Sequence, residues 1–321
     1  MFDSLPRERI AFLPTPLHPM PHLGDSLNLN SLWIKRDDLT GLAFGGNKIR
    51  KLEFVIGDAK ENRCDTLVTV GGQQSNHCRQ TAATAAKVGM RCILLLYGEE
   101  PEEFTGNLLL SRMMGAEIKY YPDDSLFTLN NRLEEVIQTL EDFGLRPYAI
   151  PAGAAMAIGS AAYAVAIEEL KAQADRASVA FDRIVVPVGT GGTMAGMLVG
   201  VHMLGIETEI VGVSVIDDAA STTARVKGEV DKLLARFPEI GPFTPKIHVD
   251  DRFLSGGYGK VDDSVRSSLE MFAKMDGVIL DPVYTGKAGV ALIRMALSGE
   301  IPSDSSTLFY HTGGQPALFA F

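Results

Sequence analysis

The sequence predicts an α/β fold in which parallel sheets are covered by helices, and three observations carry that prediction. Short apolar runs such as Thr66–Val70 and Arg183–Val188 alternate with segments of helix length. These runs are continuously apolar, as strands buried on both faces are. Several lead through a glycine-rich or polar loop straight into a helix, the position where open parallel sheets bind ligands.

Taken in order, Phe12–Pro21 is proline-rich and reads as an extended arm. His18 and His22 have i,i+4 spacing, but Pro19 and Pro21 forbid the helix that would place them on one face, so no metal site is expected there. Leu32–Lys35 is a short strand, and Lys48–Arg63 a helix. Strand Thr66–Val70, the Ala-rich helix His77–Val88, strand Arg91–Leu96, helix Gly106–Met114 and strand Glu117–Tyr121 follow. A longer amphipathic helix, Leu126–Phe143, precedes strand Pro147–Ile150. The Gly/Pro-containing turn near Pro151–Gly159 is a crossing into a second unit: helix Gly159–Gln173, strand Arg183–Val188, helix Thr193–Leu204, strand Glu209–Val215 and helix Thr222–Phe237. Helix Asp262–Asp276, strand Val278–Leu280, helix Lys287–Ser298 and strand Thr307–Tyr310 complete the pattern.

Composition removes several classes of function. The 321 residues are 46% hydrophobic and 22% charged, ordinary for a soluble protein of about two domains. No run approaches the ~18 uninterrupted apolar residues of a membrane span, and no basic segment leads into an apolar one at the N-terminus, so no signal peptide is expected. A net charge of −10 argues against nucleic acid, whose phosphates require clustered Lys and Arg. Cys64, Cys78 and Cys92 are odd in number, fourteen residues apart and without a C-x-x-C. That fits a reducing cytoplasm better than a disulfide framework.

The chemistry-bearing residues sit in loops. In Leu42–Glu53, Gly45 and Gly46 allow a tight turn, and Lys48 follows at once beside Arg50 and Lys51. A lysine amine captures an aldehyde when desolvated or placed near other cations. Alone, the stretch is equally a solvated basic helix start. After the first long strand comes Gly71-Gly72-Gln73-Gln74-Ser75-Asn76-His77, opening a helix. A helix N-terminus with Ser75 and Asn76 favours an anion such as a carboxylate; a Ser/Asn cap explains one polar residue there but not four in succession. Gly189-Thr190-Gly191-Gly192-Thr193 opens another helix as a nest of N–H donors suited to one phosphate. Met194 stands where a dinucleotide fingerprint requires its third glycine, and no Gly-Lys-Ser/Thr ending makes it a Walker loop. Tyr258 in Gly256–Gly259, Tyr284 in Asp281–Lys287, and His311-Thr312-Gly313-Gly314 complete the set, with Lys287 a rival for the reactive lysine. Lysine, single-phosphate nest and Asn-bearing loop together suit pyridoxal 5′-phosphate.

With Lys35–Asp38, Gly45–Lys48, Gln74–His77, Asp281–Lys287 and His311–Phe319 in place, the chain resembles the D-cysteine desulfhydrase / 1-aminocyclopropane-1-carboxylate (ACC) deaminase family of fold-type II, tryptophan synthase β-like enzymes, from about Leu13 to Phe321. The resemblance implies two domains, a larger cofactor-binding one of residues 1–49 and 156–321 and a smaller inserted one of residues 50–155, with the active site between them and a homodimeric assembly. It implies Lys48 as Schiff-base lysine and proton carrier at Cα, Asn76 on the cofactor's ring oxygen, and Gly189, Thr190, Gly191, Gly192 and Thr193 on the phosphate. Thr312 would lie near the pyridine nitrogen. Ser75 with the amides of Asn76 and His77 would hold the substrate carboxylate, while Tyr258, Tyr284 and Thr285 would face the substrate and the tyrosines assist proton transfer.

ACC deaminases similar to this chain carry Glu at the position of Thr285, Leu at that of Thr312 and Gln at that of His77. Those departures favour β-elimination over cyclopropane opening. The resemblance therefore implies a lyase acting on a small amino acid: D-cysteine to pyruvate, sulfide and ammonia, with L-cysteate sulfo-lyase and ACC deaminase as alternatives. A catalytically idle binding protein on the same fold is the alternative of another class.

Overall fold

The computed structural model describes residues 1–321, the side chain of Asp3 excepted. In chain order the first elements are β1 (Leu17–Pro19), α1 (Pro21–Ser26), β2 (Ser31–Arg36), α2 (Lys48–Glu61), β3 (Thr66–Gly71) and α3 (Asn76–Val88). Next come β4 (Arg91–Tyr97), α4 (Gly106–Met113), β5 (Glu117–Tyr121), α5 (Leu126–Asn131), α6 (Leu133–Asp142) and β6 (Pro147–Ile150). The remainder is α7 (Ala157–Arg176), β7 (Arg183–Val188), α8 (Gly192–Leu204), β8 (Glu209–Ser214), α9 (Ala219–Arg236), β9 (His248–Asp250), α10 (Asp263–Asp276), α11 (Thr285–Leu297) and β10 (Ser306–His311).

Two sheets result. The larger runs β1-β2-β10-β7-β8-β9 and the smaller β5-β4-β3-β6. Every pairing is parallel except the outermost, β1 against β2. The side-chain period of two sends successive residues to opposite faces. Ile184, Val186, Val188, Leu308 and Tyr310 therefore pack under α7, α8 and α9, while Val185 and Phe309 pack under α1, α10 and α11. In the smaller sheet Leu67 and Leu94 face α2 and α3, whereas Val68, Val70 and Ile93 face α5 and α6. Both faces of both sheets are covered, which is why the strands read as unbroken apolar runs.

Local chemistry fixes the helix ends nearest the site. Ser75 Oγ accepts from Cys78 N at 3.2 Å and Gly89 closes α3 in the left-handed conformation, φ +74°. Helix α2 lies against both α3 and α7 and so connects the two sheets. The C-terminal ends of β3, β7 and β10 and the start of α2 converge on one cleft.

Three expectations change and one strand is added. The segment Val278–Leu280 pairs with no strand; its outer residues are buried, but the Ile279 carbonyl accepts from His311 Nε2 at 2.9 Å, so side-chain bonding replaces a ladder. The edge strand β9 has three residues, too few to show alternation. The helix expected over Leu126–Phe143 is two helices, α5 and α6, meeting at Arg132. The N-terminal arm contributes β1 and then α1, with Pro21 in its first turn, where proline is tolerated. His18 and His22 lie in different elements, and among the described residues no cluster of metal-ligating side chains occurs. The three cysteines are free, and no described helix is long and apolar enough to cross a membrane.

Candidate active site

Lys48 is placed by a tight turn. Ala43 and Phe44 have positive φ, +45° and +67°, and a Cβ on Gly45 would lie 2.2 Å from the Asp38 carbonyl oxygen, so only glycine fits there. Asn47 then ties the lysine to two other loops. Its N–H donates to the Thr312 carbonyl at 2.9 Å and its Nδ2 to Thr193 Oγ1 at 3.1 Å, while its Oδ1 accepts from Lys48 Nζ at 3.0 Å. Burial, then the neighbouring Lys51 ammonium, hold the Lys48 amine well below its ordinary range, with Asp281 opposing in part. Such an amine is a nucleophile near neutral pH.

Of the two cations beside Lys48 in sequence, the helix keeps one. Residues i and i+3 share a face, and i+2 does not. Arg50 accordingly points away and bonds Asp37, Glu169 and Thr15. Lys51 lies on the site side: its Nζ donates to the Gly153 carbonyl at 3.2 Å, and a Cβ on Gly192 would stand 2.8 Å from it. Burial lowers Lys51 to about 8, against the pull of Glu229. It remains mostly cationic at pH 7, at the N-terminus of α8 where the backbone donors of Gly191–Thr193 open. Sequence reasoning named Lys51 only as a nearby charge; its i+3 spacing from Lys48 was the usable signal.

The loop after β3 presents the polar residues of the helix start. Ser75 caps α3, as the plainer reading of the motif required, yet its hydroxyl proton remains available because the oxygen acts as acceptor. His77 Nε2 is 2.7 Å from Thr69 Oγ1, whose hydroxyl donates to the Ile150 carbonyl. Thr69 can therefore only accept from the ring, which makes His77 the Nε2–H tautomer and leaves Nδ1 without a partner. Burial, then Lys48 and Lys51, keep this imidazole neutral, well below its usual range.

Tyr258 and Tyr284 approach from the opposite wall, their hydroxyls 2.9 Å apart. The Tyr258 loop is anchored by Lys287, whose Nζ donates to the carbonyls of Leu254 at 2.7 Å and Gly257 at 2.6 Å. Lys287, a candidate for the reactive lysine from sequence, is thereby a loop clamp. Asp281 accepts from the backbone N–H groups of Val283, Tyr284 and Thr285 and so fixes the turn carrying Tyr284. Lys48, Ser75, Asn76, His77, Gly189, Thr190, Gly191, Thr193, Tyr258, Tyr284 and Thr312 all line one cleft. Two expected members stand behind its wall. Gly192 backs onto Ser160 and Lys51. Thr285 is fully buried, its hydroxyl donating to Asp281 Oδ1 at 2.7 Å, so its polar atom is turned from the substrate space.

A desolvated lysine, a glycine-cradled helix N-terminus and a second lysine at that terminus suit a phosphate-bearing aldehyde. The sequence profile of pyridoxal-phosphate dependent enzymes matches residues 9–313. The chain belongs to that family. It is 40% identical to the D-cysteine desulfhydrase of Serratia proteamaculans over 323 residues, 99% of this chain and 96% of the relative. It is 37% identical to the 1-aminocyclopropane-1-carboxylate deaminase of Burkholderia multivorans over 332 residues, 99% and 97% of the two chains. A crystal structure of an ACC deaminase homologue superposes with a TM-score of 0.90 at 36% identity, covering 99% of this chain and 95% of that one. The family member described here is thus a pyridoxal-phosphate dependent enzyme of the D-cysteine desulfhydrase / ACC deaminase type, with the fold-type II architecture expected of it. Its cofactor is pyridoxal phosphate, and the cleft residues fit that group.

Proposed function

We propose that the enzyme eliminates hydrogen sulfide from D-cysteine, giving pyruvate and ammonia. The observation that carries this reading is the pairing, across one cleft, of the desolvated Lys48 amine with the Tyr258–Tyr284 hydroxyl pair. β-Elimination needs a base at Cα and an acid at the leaving group. When bound, pyridoxal phosphate supplies an aldehyde carbon for the lysine and a ring that stabilises negative charge at Cα. Lys48 holds the cofactor and carries the Cα proton. Asn76 would donate to the ring oxygen, the backbone donors of Gly189–Thr193 would hold the phosphate with the buried Lys51 behind them, and neutral Thr312 would face the ring nitrogen. The Ser75 hydroxyl, with the amides of Asn76 and His77 at the α3 N-terminus, orients the substrate carboxylate. Tyr284, supported by Tyr258, gives its proton to the departing sulfur.

Two observations support D-cysteine over its competitors. Among the described residues lining the cleft, Lys48 is the one Lys or Arg, so a sulfonate such as that of L-cysteate has no second cation to meet. Thr285 is a neutral residue where the ACC deaminases similar to this chain carry Glu, the carboxylate that would hold a proton on the ring nitrogen for opening a cyclopropane. The proposal includes a larger domain of residues 1–49 and 156–321 and a smaller one of 50–155, supported by the division of strands between the two sheets. It also includes a cytoplasmic homodimer, supported by free cysteines and by exposed Phe12, Phe44, Met113 and Phe319.

Steady-state turnover of the yellow holoenzyme on D-cysteine, L-cysteine, L-cysteate and ACC tests the reading, with sulfide, sulfite and the 2-oxo acid assayed separately. Sulfide from D-cysteine alone is the expected result. Sulfite from L-cysteate reassigns the leaving group, and 2-oxobutanoate from ACC reassigns the reaction. A protein that binds the cofactor but turns over none of the four overturns the enzymatic proposal.

A further inference from the structure

Arg79, in the second turn of α3, is completely buried, and among the described residues no carboxylate bonds to it. Its guanidinium spends its donors on three neutral acceptors: Nε on Asn107 Oδ1 at 2.7 Å, Nη1 on the Ala43 carbonyl, and Nη2 on the Gly45 carbonyl at 3.0 Å. Burial brings Arg79 down to about 9, still cationic at neutral pH. A desolvated charge without a counterion is unfavourable unless it performs a task or meets an anion from outside the chain.

The hydrogen-bond pattern shows the task. Amide oxygen and nitrogen are ordinarily interchangeable in placement, but a guanidinium only donates. Asn107 must therefore turn Oδ1 to Arg79, which sends its Nδ2 to Asn76 Oδ1 at 2.9 Å and to the Gln74 carbonyl at 3.2 Å. Asn76 must then turn its oxygen back towards Asn107, and its own NH₂ is left facing away from Asn107. Asn76 lines the cleft and is 8% exposed. Donors and acceptors align from the guanidinium outward, so each amide polarises the next in one direction.

We infer that Arg79 and Asn107 are positioning residues that fix Asn76 as an obligate hydrogen-bond donor to an anionic oxygen in the cleft, and that the same guanidinium holds the Ala43–Gly45 turn from which Lys48 emerges. The inference rests on the assignment of Asn76 to the cofactor's ring oxygen. The ligand group concerned is a phenolate-type oxygen, whose charge balances the buried guanidinium. One residue thus couples the electronic state of the cofactor to the placement of the lysine that binds it.

The test is a pH titration of the visible absorption band of holoenzyme, compared between wild type, Asn107→Asp, Asn107→Leu, Arg79→Lys and Asn76→Ala, with thermal unfolding recorded alongside. Asn107→Asp still accepts from Arg79 but cannot donate to Asn76, so it preserves the buried contact and removes the relay. It should move the titration midpoint up by about one pH unit, a tenfold change in proton affinity, with kcat/KM falling together with it. Asn107→Leu should shift it as far or further, and Arg79→Lys, which keeps the charge but loses the fork, by an intermediate amount. If Asn76→Ala shifts the midpoint but Asn107→Asp leaves it at the wild-type value, the relay is overturned while the place of Asn76 stands. If Asn76→Ala also leaves it unmoved, the assignment of Asn76 to the ring oxygen fails and takes the inference with it. Should the Arg79 variant not fold, the Asn107 pair decides.

Discussion

The hydroxyls of Tyr258 and Tyr284 stand 2.9 Å apart, with the rings edge to face at a centroid distance of 5.8 Å. Burial pushes both phenols above their ordinary range, so both carry protons at neutral pH. The pair is not symmetric. The hydrogen bond between them raises Tyr258 further but works against the upward shift at Tyr284, the directions that follow when Tyr258 donates to the Tyr284 oxygen. Tyr284→Phe should lower kcat by roughly 10²–10⁴, the usual worth of a positioned acid, with the visible band of the holoenzyme unchanged. Tyr258→Phe should be milder and should move the alkaline limb of the kcat profile to higher pH, because Tyr284 then becomes a weaker acid. A Tyr284→Phe enzyme with wild-type kcat would reduce the tyrosine to packing.

Lys51 acts on Lys48 through space. Its positive charge is the second cause, after burial, of the lowered Lys48 amine. Removing a neighbouring cation lets a lysine bind its proton more tightly, so Lys51→Met should raise the pH midpoint for capture of pyridoxal phosphate by apoenzyme. Affinity should fall as well, because the cation behind the proposed phosphate donors of Gly191–Thr193 is lost. Stopped-flow growth of the visible band across pH measures both. A midpoint that stays put or moves down contradicts the electrostatic role.

Thr285 distinguishes sequence position from place in space. Its hydroxyl donates to Asp281 Oδ1 and accepts from the Asp281 N–H at 2.8 Å, and both side chains are fully buried. A glutamate there is larger and sets a second carboxylate beside Asp281. Overpacking alone typically destabilises by about 1–3 kcal/mol, and like charges add to that. Thr285→Glu should therefore lower Tm by several degrees without creating ACC turnover. A variant with unchanged Tm that forms 2-oxobutanoate would show that Thr285 alone separates the two reactions.

What could be read in advance follows the range of the interactions. The alternation of apolar runs and helices is local, so the α/β class and most boundaries were legible. The loops after β3, β7 and β10 were legible too, because glycine and hydroxyl residues at helix starts have few structural uses. Arg50 and Lys51 were indistinguishable as neighbours of Lys48 until the helix turned one away. Arg79 and Asn107 gave no signal, since their meaning lies in a contact across 28 residues that only the packing of α3 on α4 creates. Val278–Leu280 has a strand's composition, and nothing local reveals that His311 occupies its carbonyl.

Asp37 is the hub beneath the Lys48 turn, and its removal should be the most damaging single change to stability. Fully buried, it accepts from both Arg50 Nε and Nη2 at 2.9 Å, from Tyr163 at 2.7 Å, from Thr15 at 2.9 Å and from Tyr310 at 3.1 Å. Tyr163 also reaches the Asn47 carbonyl at 3.3 Å, so the hub touches the residue next to Lys48. Asp37→Ala strands a buried guanidinium and should destabilise by about 3–5 kcal/mol, the usual result of breaking such a pair. Its pH signature follows from the pKa. Burial by itself would raise the carboxyl, but Arg50 and the hydrogen bonds outweigh it and hold Asp37 below 3.8 in the folded state. A folded value below the unfolded one means that the unfolded chain binds more protons in that interval, so stability falls as pH is lowered through it. The contribution is complete above about pH 4 and lost below it, and Glu169, lowered from 4.5 by the same partners, adds to the slope. Urea unfolding of wild type and Asp37→Asn between pH 7 and pH 2.5 should give a shallower acid limb in the variant. Parallel acid limbs for the two proteins would mean that Asp37 carries no depressed pKa and that Arg50 is held by Glu169 alone.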